Sequence, residues 1–429
     1  MKSWLGTLVI ALFVFGSGIA SSRYFFEIPF RHSTLTSTIY RKVSQSLNLN
    51  EDKPFPFPKE ILTARYQFKI ATQFPVHGTF QIANIDDETL FVVERFSGES
   101  FIWNIISGKT SKQGNLLSNS GIMIGNDKRQ IVQITGLHYA FGKLFLSVVS
   151  TPNNPSCLFS QALAFDNPLA NQTNPYKFFQ SPCIEDTLNR TMFGGRFTNS
   201  KDAVFMSVGE QRYERSGYPK ISQLARSEQQ NPNSVFGTIL KFNKNLTGFS
   251  IYSRGHRNAQ GMFFSTASKK LYAAEHGPQG GDEVNVVLKG KNYGWPFVSF
   301  GNPYGWQFAS GFPDPATIKG TNYEQVLKES GGLRGTHEGY AKPLFSWFPS
   351  VGAGSLLQVP SDSHLKDWRN NLLVAAMGTK QLHRLVLDGD KVIFDETIDV
   401  GARIRDMLIT KNGEFVIALD EGALLVFRP

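Results

Sequence analysis

The chain is poor in charge and poorer in cysteine: 18% of its 429 residues are Asp, Glu, Lys or Arg, and two are Cys. A helical bundle of this size needs more Ala, Leu, Glu and Lys, and no long stretch sustains a helical period. The Lys and Arg residues are scattered, without a basic stripe interleaved with aromatics. The net charge of +9 therefore reads as a basic but ordinary surface, and nucleic acid is not expected as a partner. Two cysteines allow one disulfide. Cys157 and Cys183 both sit beside turn-forming residues, in Asn-Pro-Ser-Cys157 and Ser-Pro-Cys183, and in an exported protein they are expected to pair.

What the chain has in quantity is Phe (36), Gly (39) and Pro (21), the composition of an all-β protein with many turns. A short strand of large apolar residues after a turn recurs at Leu90-Phe-Val, Leu144-Phe-Leu, Val204-Phe-Met, Leu271-Tyr-Ala, Leu372-Leu-Val and Phe415-Val-Ile. Six such units over residues 66–429 are too many for a sandwich and predict a six-bladed β-propeller whose first and last segments close the ring. The wide gap between the fourth and fifth units holds a Gly/Pro/aromatic segment, roughly 297–340, expected as inserted loops over one face. Upstream, Lys2 precedes an uncharged run from Trp4 to Ala20, of a length that suits a signal peptide or a membrane anchor. Residues 1–22 are assigned to that leader, with residues 4–20 as the tether if it is kept. Residues 23–65, with Pro54-Phe-Pro-Phe-Pro58, read as a spacer. The protein is expected outside the cytoplasm, periplasmic or secreted.

Chemistry-bearing residues concentrate between 255 and 296. Gly255-His-Arg-Asn-Ala-Gln-Gly261 sets the cation Arg257 beside the amides of Asn258 and Gln260, a donor cluster suited to carboxylates or quinone oxygens. A plain turn would explain the glycines but not those three side chains together. In Glu275-His-Gly-Pro-Gln-Gly-Gly-Asp-Glu283, the residues Gly277, Pro278, Asp282 and Glu283 offer carbonyl and carboxylate oxygens on bent backbone, as hard cations require. The EF-hand spacing is absent, and an acidic solvated turn is the alternative. Arg403 and Arg405 fall on one side of an extended strand and invite a polyanion, unless they are edge-strand surface. The glycines of Phe193-Gly-Gly-Arg-Phe197 suit either close approach of a ligand or a simple turn.

Those segments, with Asn292-Tyr-Gly-Trp-Pro296 and Arg403-Ile-Arg-Asp406 in the same order, resemble the soluble glucose and aldose sugar dehydrogenases, which hold pyrroloquinoline quinone (PQQ) and calcium in a six-bladed propeller. The resemblance runs weakly from about Phe74 to the C-terminus. It implies that Arg257 polarises the quinone carbonyl that accepts hydride, that Asn258 hydrogen-bonds the cofactor, and that Arg403 and Arg405 pair with its carboxylates. It implies a cofactor-bridging calcium on the carbonyls of Gly277 and Pro278, and a structural calcium held with the help of Glu283 and Tyr293. Gln130 matches a cofactor-binding glutamine without its usual Gly-Gly neighbours, and Lys380 is the nearest equivalent of the cofactor lysine.

One departure is chemical. The phrase His-x-Gly-Gly-Arg, whose histidine takes the sugar hydroxyl proton, is Met192-Phe-Gly-Gly-Arg196 here, and a thioether accepts no proton at neutral pH. If another base serves, His138 and His276 are the candidates in nearby loops; Glu210 stands where an aspartate is common in the family. The resemblance thus implies a PQQ- and calcium-dependent oxidoreductase acting on an aldose or other alcohol, with an electron acceptor it does not name. The alternative is a non-catalytic propeller that binds carbohydrate or protein on the same face.

Overall fold

Each of the six turn-strand units is the second strand of an antiparallel sheet of at least four strands, and the six sheets are the blades of a β-propeller. The computed structural model describes residues 57–118, 120, 122, 133–151, 157–166, 175–185, 192–210, 228–278, 280–301 and 337–429. The leader, most of the spacer, Gln130 and most of the inserted segment fall outside the described residues.

The apolar repeat has a simple cause. A blade's second strand is covered on both sides by its neighbours, so alternate side chains enter two different interfaces and the strand reads as an unbroken apolar run. In Phe415–Leu419, residues Phe415, Ile417 and Leu419 pack toward the fifth blade, while Val416 and Ala418 pack toward the first. Leu372–Ala376 divides in the same way between the fourth and sixth blades. The apolar core is thus six clusters, one between each pair of adjacent blades.

The innermost strands, Phe80–Asn84, Gln133–Ala140, Gly194–Asn199, Ala259–Phe264, Ala353–Gln358 and Ile404–Ile409, neighbour one another cyclically around the axis. The ring closes through the N-terminal segment, because Gln67–Gln73 pairs with Leu424–Arg428 as the fourth strand of the last blade. Glu60–Leu62 adds a fifth strand to that sheet, so it draws on residues upstream of 66. Cys157 and Cys183 form the expected disulfide, with Cα atoms 5.4 Å apart, at the start of the second blade's third strand.

At the axis the inner strands approach so closely that side chains are excluded. A Cβ on Gly136 would run into the carbonyl of Gly195, and one on Gly195 (φ 89°) into Thr135. Gly195 of the Gly-Gly-Arg phrase therefore serves contact between the second and third blades, while a Cβ on Gly194 would meet Ser207 and Gly209 of its own blade. Next to them, Arg196 spans the axis. It donates to Gln81 Oε1 (2.6 Å), Gln260 O (2.7 Å), Arg405 O (2.9 Å) and Asp406 Oδ1 (2.9 Å). Asp406 also accepts from the Ile82 amide and Ser355 Oγ. One buried ion pair thus joins residues of five blades. Asp406→Ala is expected to cost about 3–5 kcal/mol, because it strands a buried guanidinium. Urea unfolding followed by tryptophan fluorescence measures the loss.

Candidate functional site

Five of the inner strands carry a β-bulge near their N-terminal ends, between Ile134 and Gly136, Gly194 and Phe197, Ala259 and Gly261, Ala353 and Leu356, and Ile404 and Asp406. A bulge re-aims the side chain it adds. Thr135, Arg196, Gln260 and Arg405 lie within these bulges, and all four line a cavity of about 590 Å³ at that end of the axis. The turns following the second strands supply more of the wall: Arg95, His276, Met377 and Asp420 each immediately follow such a strand.

Most of the residues singled out in the sequence meet here. Arg257, Asn258, Gly277, Pro278, Arg403 and Arg405 all line the cavity although they lie up to about 150 residues apart, and so does Met192. The local folding explains the positions. Arg257 and Asn258 enter the strand Ala259–Phe264 and are braced from both sides. Arg257 Nη1 donates to the carbonyls of His276 (2.9 Å) and Gly277 (2.8 Å). Its Nε lies 3.4 Å from Glu210 Oε1, and its guanidinium sits over the Trp295 ring. Glu210 in turn accepts the indole proton of Trp295, so this residue is a brace for Arg257. Asn258 Oδ1 accepts the Gly194 amide of the neighbouring blade.

Other expected residues lie elsewhere. Lys380, in the turn after Met377, is absent from the lining, and its carbonyl receives the amides of Val400 and Gly401. Glu283 and Tyr293 are buried inside the fourth blade, away from the cavity wall. Asp282, taken from its loop as a cation ligand, is fully engaged: Oδ1 holds the Gly277 amide, while Oδ2 receives the amides of Val351, Gly352 and Ala353 and the Ser350 hydroxyl. His138 lines a separate cavity among the C-terminal ends of the inner strands and is bonded to Asn199. It is therefore not placed to replace the missing histidine.

Charge defines the cavity. Arg95, Arg196, Arg257, Arg403 and Arg405 line it, and Asp420 is the carboxylate among the lining residues. Asp420 takes Arg405 through two bonds (2.7 and 2.6 Å) and Arg403 at 3.3 Å, with Arg95 at 3.8 Å. Burial alone would raise its pKa, but these guanidiniums hold it below the usual carboxylate range. Positive charge remains in excess: burial, then the proximity of Arg405, pulls the pKa of Arg95 down to about 9. His276 is lowered to about 4, by burial first and by Arg257, Arg405 and Arg403 against the opposing pull of Asp282, so it stays neutral. Sequence reading missed Arg95, Gln81, Gln133 and Asp420. The signal that finds them is positional: they are blade equivalents of residues that the motifs did mark.

Because the pKa of Asp420 is depressed in the folded state, its contribution to stability is present above the ordinary value of about 4 and is lost as pH falls through the lower folded one. Asp420→Asn should unfold at a lower temperature than the parent at pH 7, and the gap should narrow below about pH 4. Differential scanning calorimetry across that range checks both.

Comparison with known proteins adds kinship to this geometry. The family described as Glucose / Sorbosone dehydrogenase matches residues 177–426. The aldose sugar dehydrogenase YliI of Escherichia coli is 33% identical over 247 residues, covering 55% of this chain and 60% of that protein. The quinoprotein glucose dehydrogenase B of Acinetobacter calcoaceticus is 28% identical over 223 residues, 44% of this chain and 46% of that one. The chain thus spans about half the length of the curated relatives it matches. Among solved structures, the soluble aldose sugar dehydrogenase of Escherichia coli in its apo form aligns with a TM-score of 0.65 at 21% identity, over 84% of this chain and 99% of that one. The PQQ-bound aldose sugar dehydrogenase of Streptomyces coelicolor aligns with a TM-score of 0.60 at 16% identity, over 86% and 99%. At those identities the structures establish a shared fold.

Proposed function

Since the chain belongs to the Glucose / Sorbosone dehydrogenase family, we propose that it is an extracytoplasmic oxidoreductase that oxidises an aldose or other alcohol with PQQ held in the axial cavity. The observation that carries this reading is the convergence of five guanidiniums from four blades on the cavity; Glu210, Asp406 and Asp420 pair with them, and among the described residues positive charge remains in excess. A quinone bearing several carboxylates supplies the missing negative charge, and arginine forks match carboxylate geometry. The disulfide is consistent with an oxidising compartment.

Bound there, the quinone would supply an acceptor for the hydride leaving the alcohol carbon. The chain's part is to bind and orient. Arg403 and Arg405 anchor carboxylates. Arg257, pinned by His276, Gly277 and Glu210, presents a fixed positive charge to a quinone oxygen, the preorganised electrostatics that costs no rearrangement during reaction. The bridging calcium fits less well. The Gly277 carbonyl already receives Arg257, and Asp420 is held by arginines, so the described lining residues offer a cation no free carboxylate. No step is assigned to it.

The hydroxyl proton is the weak point. Met192 lines the cavity where a base is expected, and His276, the imidazole in the lining, is a poor acceptor with a pKa of about 4. Slow turnover follows, or none: that same thioether favours the second reading, a propeller that binds carbohydrate or protein without catalysis. Titrating purified protein with PQQ, then adding aldoses and a dye acceptor, separates the two. Binding with weak dye reduction is expected, and Met192→His should raise that reduction on the order of 10²-fold, the size of a general-base contribution. A parent that binds no PQQ supports the non-catalytic propeller. Brisk parent activity unchanged by Met192→His would place the base elsewhere.

A further inference from the structure

The cavity among the C-terminal ends of the inner strands has no role in the proposed reaction. Its volume is about 730 Å³, within the roughly 300–1,000 Å³ of small-molecule sites. Three of the inner strands end in a carboxamide, Asn84, Asn199 and Gln358, and all three residues line it. Turn chemistry explains two of them. Asn199 Nδ2 donates to the Ser200 carbonyl (3.1 Å), and Gln358 Nε2 donates to the Asn370 carbonyl (2.9 Å). Asn84 is different: its Oδ1 is buried without a hydrogen-bond partner, and its amide nitrogen bonds no described residue. A buried amide oxygen without a donor costs free energy, so this one asks for a partner that the chain does not supply.

The same deficit recurs around the wall. Thr198 and Ser265 are buried; Thr198 Oγ1 accepts the Phe264 amide (3.0 Å) and Ser265 Oγ accepts the Ser268 amide (3.2 Å). Neither hydroxyl proton has an acceptor among the described residues. His138 Nε2 lies 2.8 Å from Asn199 Oδ1, an oxygen that can only accept, so the ring proton sits on Nε2. Burial lowers the pKa of His138 against the opposing bond to Asn199, which leaves a neutral ring with Nδ1 as a bare acceptor. Between these polar groups stand the half-buried rings of Tyr139, Phe263 and Phe264. Charge is spent or peripheral. Arg196 and Asp406 line the cavity but bond each other, while Asp87, Asp362 and Lys411 are exposed, the last two paired at 3.7 Å.

A ligand that matches this wall is uncharged, carries closely spaced groups that both donate and accept, and has an apolar face to lay on an aromatic ring. We infer that this cavity is a second binding site, for a neutral mono- or disaccharide, at the end of the axis opposite the guanidinium-lined cavity. Sugar hydroxyls bond the Asn84 carboxamide and His138 Nδ1 and accept from Thr198 and Ser265, with a ring face toward Phe263 or Phe264. A polyanion finds no free guanidinium here, so the two ends of the axis select ligands on different grounds. The site needs no cofactor, and the inference does not rest on the proposed oxidation.

The test is calorimetric titration of the full chain, free of PQQ, with glucose, maltose and cellobiose up to millimolar concentration. At least one of the three should bind, at a single site per chain. Asn84→Ala should weaken that binding about tenfold, the effect of losing a hydrogen bond to the ligand. Asn84→Leu, similar in size but without polar atoms, should do the same. Both variants should unfold at no lower temperature than the parent, because the Asn84 carboxamide holds nothing in the folded chain; a structural role would lower it. Arg403→Ala, in the other cavity, should leave the titration unchanged. Failure of all three sugars to bind, parent affinity in Asn84→Ala, earlier melting of both Asn84 variants, or loss of binding in Arg403→Ala overturns the proposal. A protein that takes up no PQQ yet loses sugar affinity in Asn84→Ala overturns the oxidation reading and supports this one.

Discussion

A propeller has its core between blades and none along its axis, so something else must close the middle, and in this chain it is the ion pair of Arg196 with Asp406. Six apolar clusters hold neighbouring blades together two at a time. The Arg196–Asp406 pair holds five blades at once and separates the guanidinium-lined cavity from the cavity among the other strand ends, with Arg196 lining both. Burying two charges is costly, and a hydrophobic plug of equal volume could be as stable. What the pair adds is direction: its bonds to Gln81, Gln260 and Arg405 set the inner strands in fixed azimuths. The bulge residues above it depend on those azimuths to aim inward.

The blade pattern was legible because physics imposes it locally. A strand covered on both sides must be apolar at consecutive positions, and all six units read from that criterion are the second strands of blades. The outermost strands are less well covered and carry a fainter signal, as the exposed and half-buried residues of Lys391–Asp399, the edge strand of the fifth blade, illustrate. Ring closure is a non-local fact, since Gln67–Gln73 pairs with a strand more than 350 residues away. It could be expected from the architecture but not from the strand's own residues.

Legibility of the site divides along similar lines. Gly255–Gly261 and Arg403–Asp406 stood out because polar, cationic and glycine residues crowd into segments that a strand alone does not require. Arg95 and Asp420 stood out from nothing, each being one charged residue after an apolar strand. Only superposition of one blade on another marks that position. The acidic loop misled for the opposite reason. Asp282 looks like a cation ligand in sequence, yet five donors from two stretches of chain consume it.

That fate is general in this molecule and explains what the cavity can recognise. Glu210 is spent on Arg257 and Trp295, Asp282 on backbone amides, Asp406 on Arg196, and Glu275 and Glu283 on two histidines and an asparagine. Carboxylates near the site are turned to structural partners, whereas several guanidiniums remain on the wall. Electrostatic selection follows from this division without any contact to a particular ligand: the cavity rejects free cations and draws in anions, most strongly those with several carboxylates. A neutral sugar gains nothing from that field. Its recognition would rest on the amides and carbonyls of the rim and on an anionic cofactor already in place, so cofactor binding would have to come first. On the proposed reading, the Met192 substitution would bear only on the later step, proton removal, and would leave the binding chemistry of the cavity intact.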